Sequence, residues 1–114
     1  KEKARSMARS YSAYNASTES LRSDEVLSGF GNNGGEEYLS YAMTSESIFT
    51  AGNEREYRIW INKMSNLFSK TQNANGSWSG HHCITSPVFC TAAVVMAMTA
   101  DRDAFYLKDM INQK

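Results

Sequence analysis

The sequence predicts an all-α protein built of antiparallel helical hairpins. Three observations carry that prediction. Apolar residues recur at three- and four-residue steps through most of the chain. No stretch alternates polar and apolar in the manner of a half-buried strand. The single proline stands at a helix start rather than within a repeat pattern.

Residues Glu2 to about Leu21 are polar and rich in Ser and Ala, with Met7, Tyr11 and Tyr14 at helical spacing. They predict a weakly amphipathic helix. It is expected to end or fray over Asn15 to Ser20, where Asn, Ser and Thr compete with helix by bonding to their own backbone. Ser28 to Gly35, Ser-Gly-Phe-Gly-Asn-Asn-Gly-Gly, breaks the pattern, because glycine loses the most backbone entropy in a regular element. Two readings stay open for it: a flexible connection, or a loop whose backbone must come close to something. It is not a phosphate-binding loop, since Gly29-x-Gly31 lacks the lysine and the preceding strand. The organisation expected is an N-terminal helical segment over 1–27, a Gly-rich linker over 28–35 and a helical-hairpin domain over 36–114.

Glu36 to Ala51 predicts a second helix. Tyr38, Tyr41, Ala42, Ser45, Ile48 and Phe49 share one face. Glu36 and Glu37 suit the positive end of the helix dipole, and Gly52 offers a stop. Asn53 to about Thr71 carries the clearest pattern. Asn53 is a favourable N-cap, with Glu56 three residues on. Tyr57, Trp60, Ile61, Met64, Leu67 and Phe68 then form an apolar stripe. Burying it contributes on the order of 10 kcal/mol before chain entropy is charged against it. Arg55, Arg58, Lys63 and Lys70 lie off the stripe and should face water.

Ser86-Pro87 opens the next helix, with Ser86 as cap and Pro87 at the first position. This helix is expected to run to about Thr99 and to be apolar on most sides (Val88, Ala92, Val95, Met96, Met98), the mark of a helix buried between neighbours. Asp101 is then expected to cap a short last helix from Arg102 to about Ile111, with Phe105, Leu107 and Met110 as its apolar residues.

Leu67 to Trp78 holds Gln72, Gly76 and Trp78 at fixed spacing after an apolar pair, Leu67-Phe68. This segment resembles the QW repeat of the terpene cyclases and their α/α-toroid superfamily, which includes the protein prenyltransferase β subunits. Phe68 stands where the repeat usually has an aliphatic residue, and the helix from Pro87 to Met98 resembles the inner helix that follows such a turn. The resemblance implies a structural device that joins neighbouring hairpins. The glutamine would bond backbone groups of an adjacent helix end, glycine would permit the turn, and tryptophan would cover the link. It implies part of an α/α toroid, since a full one has about a dozen helices. It does not imply the cyclase activity. The Asp-x-Asp-Asp motif is absent, and Asp101-Arg102-Asp103 lacks the remaining pattern.

Gly80-His81-His82-Cys83 follows the turn, and Cys90 comes seven residues later. These are the only histidines and cysteines in the chain. Three readings compete. Cys83 and Cys90 form a disulfide, which for so short a loop stabilises by roughly 2–3 kcal/mol. Alternatively both are small buried thiols. Or His81, His82 and Cys83 form a metal-binding or reactive loop, since imidazole and thiolate are the natural zinc ligands. Against the last, adjacent His81 and His82 do not readily share one metal, and the spacing matches no standard zinc pattern. Glu36, Glu37 and Glu46 are weaker carboxylate candidates, expected to be exposed.

The chain has 114 residues and a formal net charge of zero, with 12 basic and 12 acidic residues. That size holds one domain. No basic face marks a nucleic-acid binder, and no apolar run nears the ~20 residues that span a bilayer. The chain begins at Lys1 rather than Met, as after removal of a leader or as a piece of a longer protein. Asn15-Ala16-Ser17 and Asn75-Gly76-Ser77 match the glycosylation acceptor pattern but decide nothing. The function expected is a non-catalytic structural or protein-interaction module, with no catalytic residue, metal or cofactor assigned and a protein partner or larger assembly as its target. The alternative is a fragment of an α/α-toroid enzyme with the His/Cys loop at its cavity. The compartment is left open, and would be periplasmic or extracellular if Cys83 and Cys90 are bonded.

Overall fold

The computed structural model describes residues 2–24 and 34–112, in the last helix with side chains through Arg102 and at Met110. Ser28 to Asn33 of the expected linker, and the side chains of Phe105 and Leu107, lie outside the described residues. Four helices are present among the described residues: α1 (Glu2–Ser20), α2 (Glu36–Thr50), α3 (Glu54–Thr71) and α4 (Pro87–Asn112). The all-α expectation holds. None of these helices is long and apolar enough to cross a membrane.

The chain divides into two compact units, Lys1–Phe30 and Gly31–Lys114. The first contains α1. Asn15 to Ser20, where fraying is expected, stays helical to Ser20. The hydroxyls there bond back along the helix instead of opening it: Ser17 Oγ to the Ala13 carbonyl at 2.9 Å, Thr18 Oγ1 to Asn15 O at 3.0 Å, and Ser20 Oγ to Ala16 O at 2.9 Å.

The second unit holds the hairpins. The Gly34 and Gly35 carbonyls accept from the Glu37 and Tyr38 amides at 3.1 and 3.2 Å, starting α2. The helix ends at Ala51, and Gly52 follows with φ 77°, a conformation glycine adopts without cost. Asn53 caps α3 as expected, its side chain accepting from the Glu56 amide at 3.2 Å. Ser86 Oγ accepts from the Phe89 amide at 3.4 Å where α4 begins.

The expected break between Thr99 and Arg102 does not occur. α4 runs unbroken to Asn112. Asp101 does not act as a cap because Tyr57 of α3 engages it: the Tyr57 hydroxyl donates to Asp101 Oδ1 at 3.5 Å and accepts from the Asp101 amide at 3.2 Å. No glycine or proline lies between residues 88 and 112 to force a stop.

α2 lies chiefly against α4, with α3 flanking both. The buried face of α4 is small (Cys90, Ala93, Val94, Ala97 and Ala100), whereas α2 and α3 bring Tyr38, Tyr41, Ile48, Tyr57, Trp60, Met64 and Phe68. Small residues on one side thus face rings on the other, the complementarity that close packing requires. The rings meet edge-on or tilted, with Tyr41 and Phe68 centroids 5.8 Å apart and Phe49 and Tyr57 5.1 Å apart, the geometry that aromatic quadrupoles favour. Ser45 and Trp60, both buried, satisfy each other: the indole Nε1 donates to Ser45 Oγ at 2.7 Å. Glu37, expected at the surface, is also buried, whereas Glu46 is exposed as expected.

Replacing Ser45 by Ala should leave the Trp60 indole N–H without its partner and cost about 1–3 kcal/mol, read as a lower urea midpoint at unchanged slope. Trp60→Phe in the same background should cost less than the sum of the two single changes.

Burial pushes the Tyr41 phenol up from 10.0 to about 12, and the Glu37 carboxylate beside it adds to the rise. The folded chain therefore holds that proton more tightly than the unfolded chain. Stability from this group is complete below pH 10 and is lost as pH climbs towards about 12. Tyr41→Phe should remove this share of the alkaline loss, measured as a flatter dependence of the thermal midpoint on pH across that window.

Candidate functional site

The turn between α3 and α4 is built from its own side chains. The Asn73 amide donates to Ser77 O at 2.8 Å and the Gly76 amide to Asn73 O at 2.9 Å. Gly76 has φ 85°, which an L-residue adopts only under strain. Gln72 Nε2 donates to the Gly76 carbonyl at 2.8 Å. The glutamine thus ties its own turn, where the resemblance implied a bond to the backbone of a neighbouring helix end. The tryptophan makes the longer link. Trp78 Nε1 donates to the Phe68 carbonyl at the end of α3 at 2.9 Å, and its amide donates to Thr91 Oγ1 on α4 at 3.1 Å. Its ring stands edge-on to Phe68 at 6.3 Å. Gln72, Gly76 and Trp78 therefore form a corner in which only Trp78 touches both helices.

The chain then turns under the start of α2. Gly34 and His82 form an isolated parallel bridge, and Gly34, Gly35 and Gly80 are all buried. A Cβ on Gly35 would overlap the Ile84 carbonyl, and one on Gly80 would overlap both that carbonyl and the Gly35 backbone. Of the two readings of the Gly-rich stretch, its described end is the close approach of two backbones.

This crossing brings three metal-ligating groups together: the carboxylate of Glu36 with the side chains of His82 and Cys83, one donor atom from each lying within 4.8 Å of the others. Within the set, His82 Nδ1 and Cys83 Sγ are 3.2 Å apart. Cys83 has φ 57°, the one non-glycine residue with positive φ among the described residues, and at a β-carbon-bearing residue that conformation costs about 1–2 kcal/mol. The Glu36 carboxylate folds back over Gly34. Its Oε2 is out of reach of solvent and has no hydrogen-bond partner among the described residues.

The four His and Cys residues of the sequence motif thus separate. His82 and Cys83 join a site, and His81 is exposed outside it. Cys83 is an exposed free thiol and Cys90 a buried free thiol, so the disulfide considered from sequence is not formed. Cys90 lies on the inner face of α4, where it packs as a small hydrophobe and its thiol approaches the Ile84 carbonyl at 3.8 Å. Cys83 belongs to the loop outside that helix. Glu36 is the member that sequence reasoning placed among exposed carboxylates. Two consecutive glycines just before it were the available signal, since they permit a second strand of chain to lie against the helix start. Nothing local pairs residue 36 with residue 82.

No protein-family model, curated protein or solved structure matches this chain.

Gly35→Ala should be strongly destabilising, because the added methyl meets backbone rather than a movable side chain. Overpacking of this kind typically costs 1–3 kcal/mol or more. Gly52→Ala meets nothing within 4 Å and carries only its φ of 77°, so its loss should be the smaller of the two in parallel thermal melts.

Proposed function

We propose that the protein is a non-catalytic helical-hairpin module that docks on a partner protein or larger assembly through the outer face of α4. One observation supports this reading above the others. α4 is apolar on both sides, yet α2 and α3 pack against one side. Opposite the buried row stand Val88, Ala92, Val95 and Met96, exposed, with Val88 81%, Val95 54% and Met96 53% accessible. Their spacing of four, three and one residues makes a continuous stripe along the helix. Contiguous exposed apolar surface is characteristic of interaction sites.

The occupant that fits is an amphipathic helix of another chain. The stripe is straight, about 12 Å long over its eight-residue span, and includes the small Ala92, over which a facing helix can approach closely. No nucleic-acid partner is assigned, in keeping with the zero formal net charge. The corner at Gln72, Gly76 and Trp78 supports a place within a larger hairpin array of the α/α-toroid kind, in which such a helix would be covered by the next hairpin. The convergence of Glu36, His82 and Cys83 favours one alternative, a toroid-enzyme fragment with the His/Cys loop at its cavity. A parent protein with several further Gln–Gly–Trp turns would favour that alternative.

A photo-crosslinking residue at position 95, introduced into the chain in its native cell, should give a discrete product absent when the same residue replaces Arg58 on the exposed side of α3. Val95→Glu with the crosslinker moved to position 88 should abolish that product, while thermal stability changes by no more than about 0.5 kcal/mol, as for an exposed position. Equal labelling from positions 95 and 58, or a product indifferent to Val95→Glu, overturns the reading.

A further inference from the structure

We propose that Glu36, His82 and Cys83 bind a zinc-class divalent transition-metal ion, which clasps the start of α2 to the loop that enters α4. The inference does not depend on the α4 docking face.

The donor set suits such an ion. One carboxylate oxygen, one imidazole nitrogen and one thiolate sulfur are each proper ligands of zinc, with bonds of about 2.0–2.3 Å. Atoms bound to one tetrahedral ion at those lengths stand roughly 3.3–3.6 Å apart. The three donors here already lie within 4.8 Å of one another, and His82 Nδ1 and Cys83 Sγ are at 3.2 Å. Bringing the widest of these separations into that range takes a movement of about an ångström. The mixed oxygen, nitrogen and sulfur set excludes magnesium and calcium, which take oxygen ligands.

Glu36 itself calls for a cation. Its Oε2 is removed from solvent without a hydrogen-bond partner among the described residues, and an ionised carboxylate left so is costly. A cation beside it removes that cost. The carboxylate lies over Gly34, whose backbone bridges to His82, and this sets it beside the loop. A side chain at Gly34 would occupy the carboxylate's place, so the glycine serves the site as well as the turn.

One histidine of the pair takes part. Adjacent side chains on an extended loop point apart, so of His81 and His82 only one can face the helix start. His82 does so, and His81 stays outside the cluster. On binding, Cys83 gives its thiol proton to solvent and His82 binds as the neutral imidazole. Three protein ligands leave a fourth position for water.

The test uses the reduced full chain titrated with Zn²⁺ alone by calorimetry, and with Co²⁺ alone by absorption spectroscopy. The expected result is one saturable equivalent, a thiolate-to-cobalt charge-transfer band with tetrahedral visible bands, and a thermal midpoint raised by Zn²⁺. Glu36→Gln, His82→Ala and Cys83→Ser should each weaken Zn²⁺ by more than the ~10–100-fold that loss of a merely supporting contact brings. His81→Ala should leave the affinity unchanged. Each variant is checked for native helicity by circular dichroism; Glu36→Asp, which keeps the charge in the same helix, should recover part of the affinity. The proposal is overturned if no saturable equivalent binds, if Zn²⁺ lowers the thermal midpoint by preferring the unfolded chain, if Glu36→Gln binds as well as the parent, or if His81→Ala loses as much as His82→Ala.

Discussion

The arrangement of the second unit depends on the contrast between a small-faced helix and two ring-bearing ones. Cys90, Ala93, Val94, Ala97 and Ala100 keep the inner side of α4 low, so α2 can make its most extensive contact there. The Tyr38 and Tyr41 rings of α2 then have only one direction in which to find volume, towards Phe68 and Trp60 of α3. Large residues on α4 would push α2 away and break the ring contacts that hold α3. The polar atoms carried in with those rings are matched locally. Ser45 receives the Trp60 N–H, and the Tyr57 hydroxyl receives the Asp101 amide, as buried donors require.

That packing also places the site. Glu36 is the first residue of α2 and His82 and Cys83 lie shortly before the start of α4. α2 and α4 pack on each other and the Gly34–His82 bridge joins their N-terminal approaches, and the backbones can cross only where side chains are missing. Gly34, Gly35 and Gly80 supply the gap, and a Cβ on Gly35 or Gly80 would fall on neighbouring backbone. Trp78 serves the same end from the other side. By bonding Phe68 and Thr91 together it fixes how far the loop after α3 travels before α4 begins. The cluster of donors is thus a consequence of helix packing.

Much of this fold was legible in the sequence, and the failures have a common physical character. Helix starts were readable because Asn53 and Ser86-Pro87 act through their nearest neighbours. The buried faces of α2 and α3 were readable because they follow a single period. What could not be read were outcomes decided by residues far apart in the chain. Asp101 looks like a cap until Tyr57, forty-four positions earlier, takes its carboxylate and amide, and α4 then continues. Cys83 and Cys90 are close enough in sequence for a bridge, but helix periodicity turns Cys90 into the core while the loop holds Cys83 outside. Glu36 looks like an ordinary first-turn acid until residue 82 arrives beside it. In α1 the error ran the other way. Ser and Thr were weighed as helix breakers, and their hydroxyls instead bond the carbonyls three and four residues back, which a helix tolerates.

The two proposed surfaces are neighbours along the chain, and this gives them a physical relation. Only Ile84, Thr85, Ser86 and Pro87 separate the Cys83 ligand from Val88, the first residue of the outer stripe on α4. Ile84 is itself held, since its carbonyl packs on Gly35 and Gly80. An ion bound to Glu36, His82 and Cys83 would fix both ends of this short connection, and with it the first turn of α4. A helix whose first turn is fixed presents Val88 in register with Ala92 and Val95 at a smaller entropy cost than one whose end frays. Metal and partner would then each favour the same ordered state, and the coupling would be reciprocal by thermodynamic necessity. The size of that coupling is bounded by the ordering of four or five residues, at about 1–2 kcal/mol of backbone entropy each. The clasp could therefore tune docking by a substantial factor while contributing no contact to the partner.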